Sequence, residues 1–459
     1  MTGADKRVGW GPLSVERDRL RTILALALPI IGGMVSQNVL NIVDTLMVSR
    51  LGPEALAAVG LGGFTNFLAT AFVTGLAAGV QAMAARRKGE GRDGETAVPL
   101  NGGLLMVLVL AVPLSVILVL LVPHFFPYLN GDPKVIAQGV PYLQARLFAI
   151  VAIGCNYAFR GYWNGVSMSR LYLRTIVVMH ACNVVISYVL IFGVGGAPAL
   201  GTEGAGIGTA ASTFIGTGYY FYLGRKYARG AGFLHGIPSW QTMRSMIRLS
   251  VPSGVQQTFY AAGLTVFFVI VGRVGTPELA AANVLINVSL IAILPGLGLG
   301  LAAASLVGQA LGRKDPDDAS RWAWDVVRTA TIIMGLLGLP MLLMPGVILD
   351  PFFDLSKAGE ATALALALAP LRLVGAAIIL DATGMVLLNA LIGAGATRMA
   401  MTVSIVAQWG VFLPVVYLVG PILGGGLLAI WIANISYRSL QALVLAGIWR
   451  SRKWADIDI

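Results

Sequence analysis

Twelve stretches of roughly twenty or more apolar residues follow one another along this 459-residue chain. A chain built this way satisfies its backbone by crossing a bilayer as helices. The windows run near 22–48, 55–85, 100–122, 138–161, 171–193 and 203–224, then near 244–271, 278–311, 326–349, 361–391, 399–420 and 424–449. With 57% hydrophobic and 12% charged residues, an ordinary soluble domain is excluded. The longer windows predict tilted helices or short interfacial segments.

A net charge of +11 could suggest nucleic acid, but the cations follow loop parity, as membrane topology requires. One set of loops holds Lys6, Arg7, Arg17, Arg19 and Arg21, then Arg86, Arg87, Lys88 and Arg92, then Arg170 and Arg174. It continues with Arg225, Lys226, Arg229, Arg244 and Arg248, then Arg313, Lys314, Arg321 and Arg328, and ends with Arg450, Arg452 and Lys453. The opposite loops hold little more than Arg50, Lys134, Arg273 and Lys357. Both termini are therefore expected in the cytoplasm, with 1–21 and 450–459 as terminal segments, 22–224 and 244–449 as two lobes, and 225–243 as their linker. The first apolar stretch is too long for a signal-peptide core and lacks a small-x-small cleavage site, which predicts a retained span. Cys155 and Cys182 fall within spans and read as small buried residues.

An internal repeat organises the chain. Setting Pro29 against Pro252 gives an offset of 252 − 29 = 223, which pairs Val48-Ser-Arg-Leu-Gly52 with Val271-Gly-Arg-Val-Gly275 and Gly75-Leu76 with Gly298-Leu299. Further on the offset becomes 393 − 165 = 228, pairing Gly165 with Gly393 and Arg170 with Arg398. Six spans is an even number, so the second half keeps the orientation of the first and the halves are parallel repeats. Such a two-lobe body suits alternating access.

Only Asp44 and Asp381 sit well inside an apolar stretch, and an intramembrane acid by default marks an ion or proton pathway. Gln37, Asn41 and Asp44 are spaced i, i+4 and i+7, forming one polar stripe on the first helix. A stripe of this kind avoids lipid, so Asp44 can load and release a proton or hold a sodium ion. The structural alternative is an ion pair with Arg50 or a packing hydrogen bond.

Three stretches carry a resemblance that covers nearly the whole chain. Leu28-Pro29, Gln37, Val43-Asp44-Thr45 and Leu51-Gly52 form the first. Arg160-Gly161 to Arg170 and Asn389 to Thr397-Arg398 form the second, and Asn183 through Gly193 to Gly204-Ala-Gly-Ile-Gly-Thr209 the third. Together they resemble the multidrug and toxic compound extrusion (MATE) transporters. The resemblance implies an all-α integral membrane protein with twelve helices in two six-helix lobes. It also implies that Gln37, Tyr142, Asn183 and Thr209 partner Asp44. Ser187 departs from the pattern, standing where some members carry a second acid. In the sodium-coupled branch an acid at the place of Asp381 works with a glutamate whose place Tyr260 takes here, preceded by Gln256 and Gln257. Asp381 is then left to bind the cationic substrate, to carry an ion, or to donate a hydrogen bond to a carbonyl. Gln256, Gln257, Tyr260 and Asn389 are expected along the substrate path.

Pro29 and Pro252 occupy equivalent places, and bending at Pro29 could couple Asp44 to cavity shape or merely set a fixed kink. Tyr157, Phe159, Trp163, Phe259 and Tyr260 could face an organic cation, although core packing is the commoner role. His124, His180 and His235 are scattered, with His180 readable as a proton relay or as a satisfied buried histidine. No phosphate loop, metal-ligand spacing or activated nucleophile is present, so no enzyme, resident metal or cofactor is expected.

These features imply a secondary antiporter in a bacterial inner membrane. It would export amphipathic cationic compounds against protons or sodium, the sodium at Asp44 or Asp381, and work as a monomer without nucleic acid. The alternatives are a MATE-like exporter or flippase of an organic acid, metabolite or lipid-linked substrate, a major facilitator, and an intramembrane enzyme. The charged stretch Arg86-Arg-Lys-Gly-Glu-Gly-Arg92 does not reproduce the facilitator loop.

Overall fold

The computed structural model describes residues 7–8 and 13–459, apart from 355, 357, 358 and 458. Lys6 and Lys357, used in the charge reading, lie outside the described residues. An antiparallel ribbon pairs β1 (Arg7–Val8) with β2 (Val15–Glu16), ahead of the first span. The first repeat then comprises α1 (Arg17–Ser49), α2 (Pro53–Thr74), α3 (Leu76–Gly89), α4 (Val98–Leu129), α5 (Pro133–Phe148), α6 (Ile150–Gly165), α7 (Ser169–Phe192) and α8 (Gly201–Tyr227). The second comprises α9 (Trp240–Gly272), α10 (Thr276–Gly312), α11 (Pro316–Leu343), the short α12 (Pro345–Leu349), α13 (Glu360–Gly393), α14 (Thr397–Ile405), α15 (Leu413–Tyr417) and α16 (Gly426–Arg450). Among the described residues ten spans are long and apolar enough to cross a membrane, and α5 with α6, bent by 43°, makes an eleventh. The glycine- and threonine-rich α8 completes the twelve.

Several windows are broken where a neighbour demands it. The 55–85 window splits at Gly75, where an added Cβ would meet the backbone of Ser253 and Gly254. The bend between α5 and α6 falls at Ala149, and Ser115 Oγ of α4 donates to the Leu147 carbonyl there at 2.8 Å. The 399–420 window becomes α14, a π-helical segment Val406–Phe412, α15 and a second π segment Leu418–Ile422. The first of these segments holds Gln408 and Trp409, which bond to α9: Gln408 Nε2 donates to the Tyr260 carbonyl (3.3 Å) and Trp409 Nε1 to that of Phe259 (3.0 Å).

Two starts precede the apolar pattern because ion pairs hold them. Arg19 of α1 donates from Nε to Asp325 (2.6 Å) and from Nη1 to Asp318 (2.7 Å), and its guanidinium lies 3.7 Å from the Trp322 ring centre. Arg313 and Arg328 complete the cluster. We expect Arg19→Gln to cost about 1–3 kcal/mol and to speed hydrogen exchange in residues 17–31, measured by mass spectrometry; unchanged exchange would refute the clamp.

The repeat is visible as equivalent close approaches. A side chain at Gly165 would strike the Gln81 carbonyl and one at Gly393 the Ala304 carbonyl. These pairs are related by 304 − 81 = 223 and 393 − 165 = 228, the two offsets of the repeat. Gly161 lies on Ala77 as Gly300 lies under Asn389, with 300 − 77 = 223 and 389 − 161 = 228, the glycine having changed sides. Helices α3 and α6, and α10 and α13, thus meet backbone to side-chain stub. A carbonyl in a packed helix cannot yield, so Gly165→Ala and Gly393→Ala should each destabilise by about 1–3 kcal/mol. Gly447→Ala, which meets open space, should leave the thermal midpoint unmoved.

Two compact units emerge, one formed by residues 1–31 and 259–459, the other by 32–258. They divide α1 and α9, whereas the lobes read from the sequence kept those helices whole. In the first unit Ile31 fits beneath Gly298 of α10. In the second, Met246 of α9 covers Gly102, Ser250 covers Gly79, and Gly254 crosses Gly75.

Candidate functional site

In the 32–258 unit the polar face of α1 is tied to α7 by a hydrogen-bonded string. Ser36 Oγ lies 2.7 Å from His180 Nδ1, His180 Nε2 lies 3.1 Å from Gln37 Oε1, and Gln37 Nε2 donates to Asn41 Oδ1 at 3.1 Å. Because Gln37 spends its amide N–H on Asn41, its oxygen accepts, so a neutral His180 carries its proton on Nε2 and accepts from Ser36. His180 is therefore the satisfied buried histidine of the two sequence readings.

A second string joins α7 to α8. Ser187 Oγ donates to Asn183 Oδ1 (3.3 Å), Asn183 Nδ2 to Ser212 Oγ (3.2 Å), and Ser212 Oγ to the Thr209 carbonyl (2.9 Å). Gly208 has no side chain because Ser187 occupies that space. Thr209 turns its own hydroxyl onto the Ala205 carbonyl. Tyr142 of α5 is buried with Met47, Val48, Ala55, Ile191 and Ala205, its ring against Gly62.

Asp44 is bonded to neither string. Its Oδ1 is buried without a hydrogen-bond partner, and among the described residues no cation comes within ion-pair distance, so the pairing with Arg50 is not formed. Arg146, one turn beyond Tyr142 on the same face of α5, makes no ion pair with it. Arg146 escaped the sequence reading because it lies inside a span rather than in a loop.

In the other unit Asp381 of α13 is not a free acid. Arg438 Nε of α16 donates to its Oδ1 at 2.8 Å, with side chains 27% and 12% exposed. Of the three roles left open for Asp381, the hydrogen bond to a carbonyl is replaced here by this ion pair. Its signal was present: Asn434, Arg438 and Gln441 repeat on α16 the i, i+4, i+7 spacing of Gln37, Asn41 and Asp44.

The substrate-path residues divide. Gln256 and Gln257 belong to the 32–258 unit, while Tyr260 and Asn389 belong to the other. Asn389 bonds to its own helix through the Met385 carbonyl, and Tyr260 is half exposed. Phe159 is fully buried and stacks on Tyr220 at 5.1 Å and Trp163 is buried, so these two belong to the core, while the half-buried Tyr157 ring holds Arg160 at 4.2 Å. Phe259 and Tyr260 remain exposed. Both cysteines are free, and no group of three or more metal-ligating side chains exists among the described residues.

Two parallel six-helix repeats with ionisable groups on helix stripes define a membrane transporter. A family model for MatE matches residues 29–189 and 252–418, one block in each repeat and again 223 residues apart at their starts, and the chain belongs to that family. A probable multidrug resistance protein NorM from Synechococcus is 30% identical, covering 96% of this chain and 95% of its own. Another from Mesorhizobium japonicum is 27% identical over 96% of each. Among solved structures, an outward-facing multidrug resistance MATE transporter of the MOP superfamily superposes with a TM-score of 0.87 at 20% identity, covering 96% of this chain and 97% of that one. A MOP superfamily transporter from Pyrococcus furiosus gives 0.86 at 21%, over 95% and 96%.

Proposed function

We propose that the chain is an ion-coupled antiporter exporting amphipathic cationic compounds by alternating access, with Asp44 as the coupling group. One observation carries the reading: a carboxylate oxygen buried in a helix bundle with no donor. Such an atom is costly unless a proton or a cation completes it. Among the described residues no cation is paired with it, so an arriving proton or cation meets no fixed competitor and the acid can cycle between occupied and empty. The strings through Gln37 and Asn41, and through Asn183, Ser187 and Ser212, hold α1, α7 and α8 around it without spending it. Pro29, close before the point where α1 passes from one compact unit to the other, would serve as hinge. The names of the NorM relatives support a multidrug cargo. The basic loops support cytoplasmic termini, the 225–243 linker on that side, and an inner-membrane location. We take the monomer as the working unit.

The test is uptake of a fluorescent organic cation into inverted vesicles under separately imposed proton and sodium gradients. Accumulation that follows one gradient supports antiport and names the ion; accumulation indifferent to both refutes it.

A further inference from the structure

The Asp381–Arg438 pair leaves one side of a guanidinium unspent. Arginine carries five N–H donors, and Asp381 takes the one on Nε. Among the described residues the four donors on Nη1 and Nη2 meet no acceptor, yet none of those atoms is buried. The side chain is 27% exposed, and an arginine turned to lipid is costly, so this edge faces a water-accessible volume. The stripe agrees, since Asn434 and Gln441 flank Arg438 along α16 and Gln441 reaches Ser404 of α14 at 3.5 Å. Aromatic groups adjoin it in the same unit: Tyr437, the preceding residue on α16, stacks on Phe412 at 4.3 Å, and Phe412 lies one turn beyond Gln408, whose amide holds the carbonyl of the half-exposed Tyr260.

A cation-binding site needs the reverse arrangement, an acid free to meet the cargo. Here the acid is occupied and the cation is offered, with its planar fork open. We propose that Arg438 is an anion-recognising subsite in the 259–459 unit, which takes the carboxylate of an amphipathic aromatic substrate on its Nη edge while Asp381 fixes the guanidinium plane. A carboxylate accepts two parallel N–H bonds from such an edge, and the rings beside it cover the substrate's apolar body. This rests on the transporter reading and narrows it: the preferred cargo is a zwitterion, bearing a carboxylate as well as its cation.

The probes are a fluorescent aromatic amine carrying a carboxylate and its methyl ester, titrated against purified protein in detergent. Binding needs no ion gradient, so it is independent of coupling. The wild type should bind the acid more tightly than the ester. The neutral pair Asp381→Asn/Arg438→Gln should lose about tenfold of that preference, the size of one charge-assisted bond, with a thermal midpoint close to the wild type's as the sign of a folded protein. Arg438→Lys, which keeps the charge but not the fork, should fall between. Equal binding of acid and ester by the wild type, or a preference that survives in the neutral pair, overturns the proposal and leaves the ion pair a packing element. Gradient-driven uptake of a plain aromatic cation by the same proteins reconstituted into vesicles tests antiport separately.

Discussion

Asp44→Asn is expected to bring ion-driven uptake to background while the protein gains, rather than loses, thermal stability. The two outcomes have one cause. The buried Oδ1 has no donor and Arg146 stands beyond ion-pair distance, so the ionised acid is a desolvated charge kept for its chemistry. An uncompensated ion of this kind costs several kcal/mol. Asparagine has nearly the same shape and carries no charge, so it removes the penalty and the coupling together. Uptake under proton and sodium gradients, with thermal midpoints on the same samples, checks both. An Asp44→Asn protein that pumps at the wild-type rate would end the coupling role. One that unfolds would show that Asp44 is a structural ligand.

The pair in the other unit should behave in the opposite way. Asp381→Asn strands the guanidinium of Arg438, and Arg438→Gln strands a carboxylate that is 12% exposed. Each single change should cost on the order of 2 kcal/mol, while the double change to Asn and Gln restores most of it, because both partners become neutral and can still hydrogen-bond. The measurement is a double-mutant cycle of thermal midpoints. Additive losses would mean that the 2.8 Å contact contributes nothing.

Much of this was legible in the sequence. Apolar windows placed twelve spans because bilayer thickness fixes helix length. The stripe of Gln37, Asn41 and Asp44 was legible because helical period fixes a face, and the two offsets of the repeat reappear as matched glycine contacts. The breaks were hidden for a physical reason: at Gly75 the Gly254 backbone, and before Ala149 the Ser115 hydroxyl on the Leu147 carbonyl, come from segments distant in sequence. The π turns at 406–412 share the composition of the α turns around them. Partner choice was hidden too. The partner of Asp381 lies 57 residues away on another helix, where no local spacing can point to it. Among the aromatic candidates, burial separated Phe159 and Trp163 from Phe259 and Tyr260, and burial has no local signature.

The division of α1 and α9 between compact units bears on biosynthesis. The unit made of residues 32–258 has Gly75, Gly79 and Gly102 covered by the first half of α9, which emerges after the whole first repeat has been synthesised. Its counterpart claims residues 17–31, made first and left waiting for α10 and α11. Neither repeat, cut within the 228–239 connection, would own all of its packing surface. Two separately produced halves would be unstable apart and recover activity when co-expressed, so the nascent chain must hold its opening helix half unsatisfied until α11, ending at Leu343 of 459 residues, has been made.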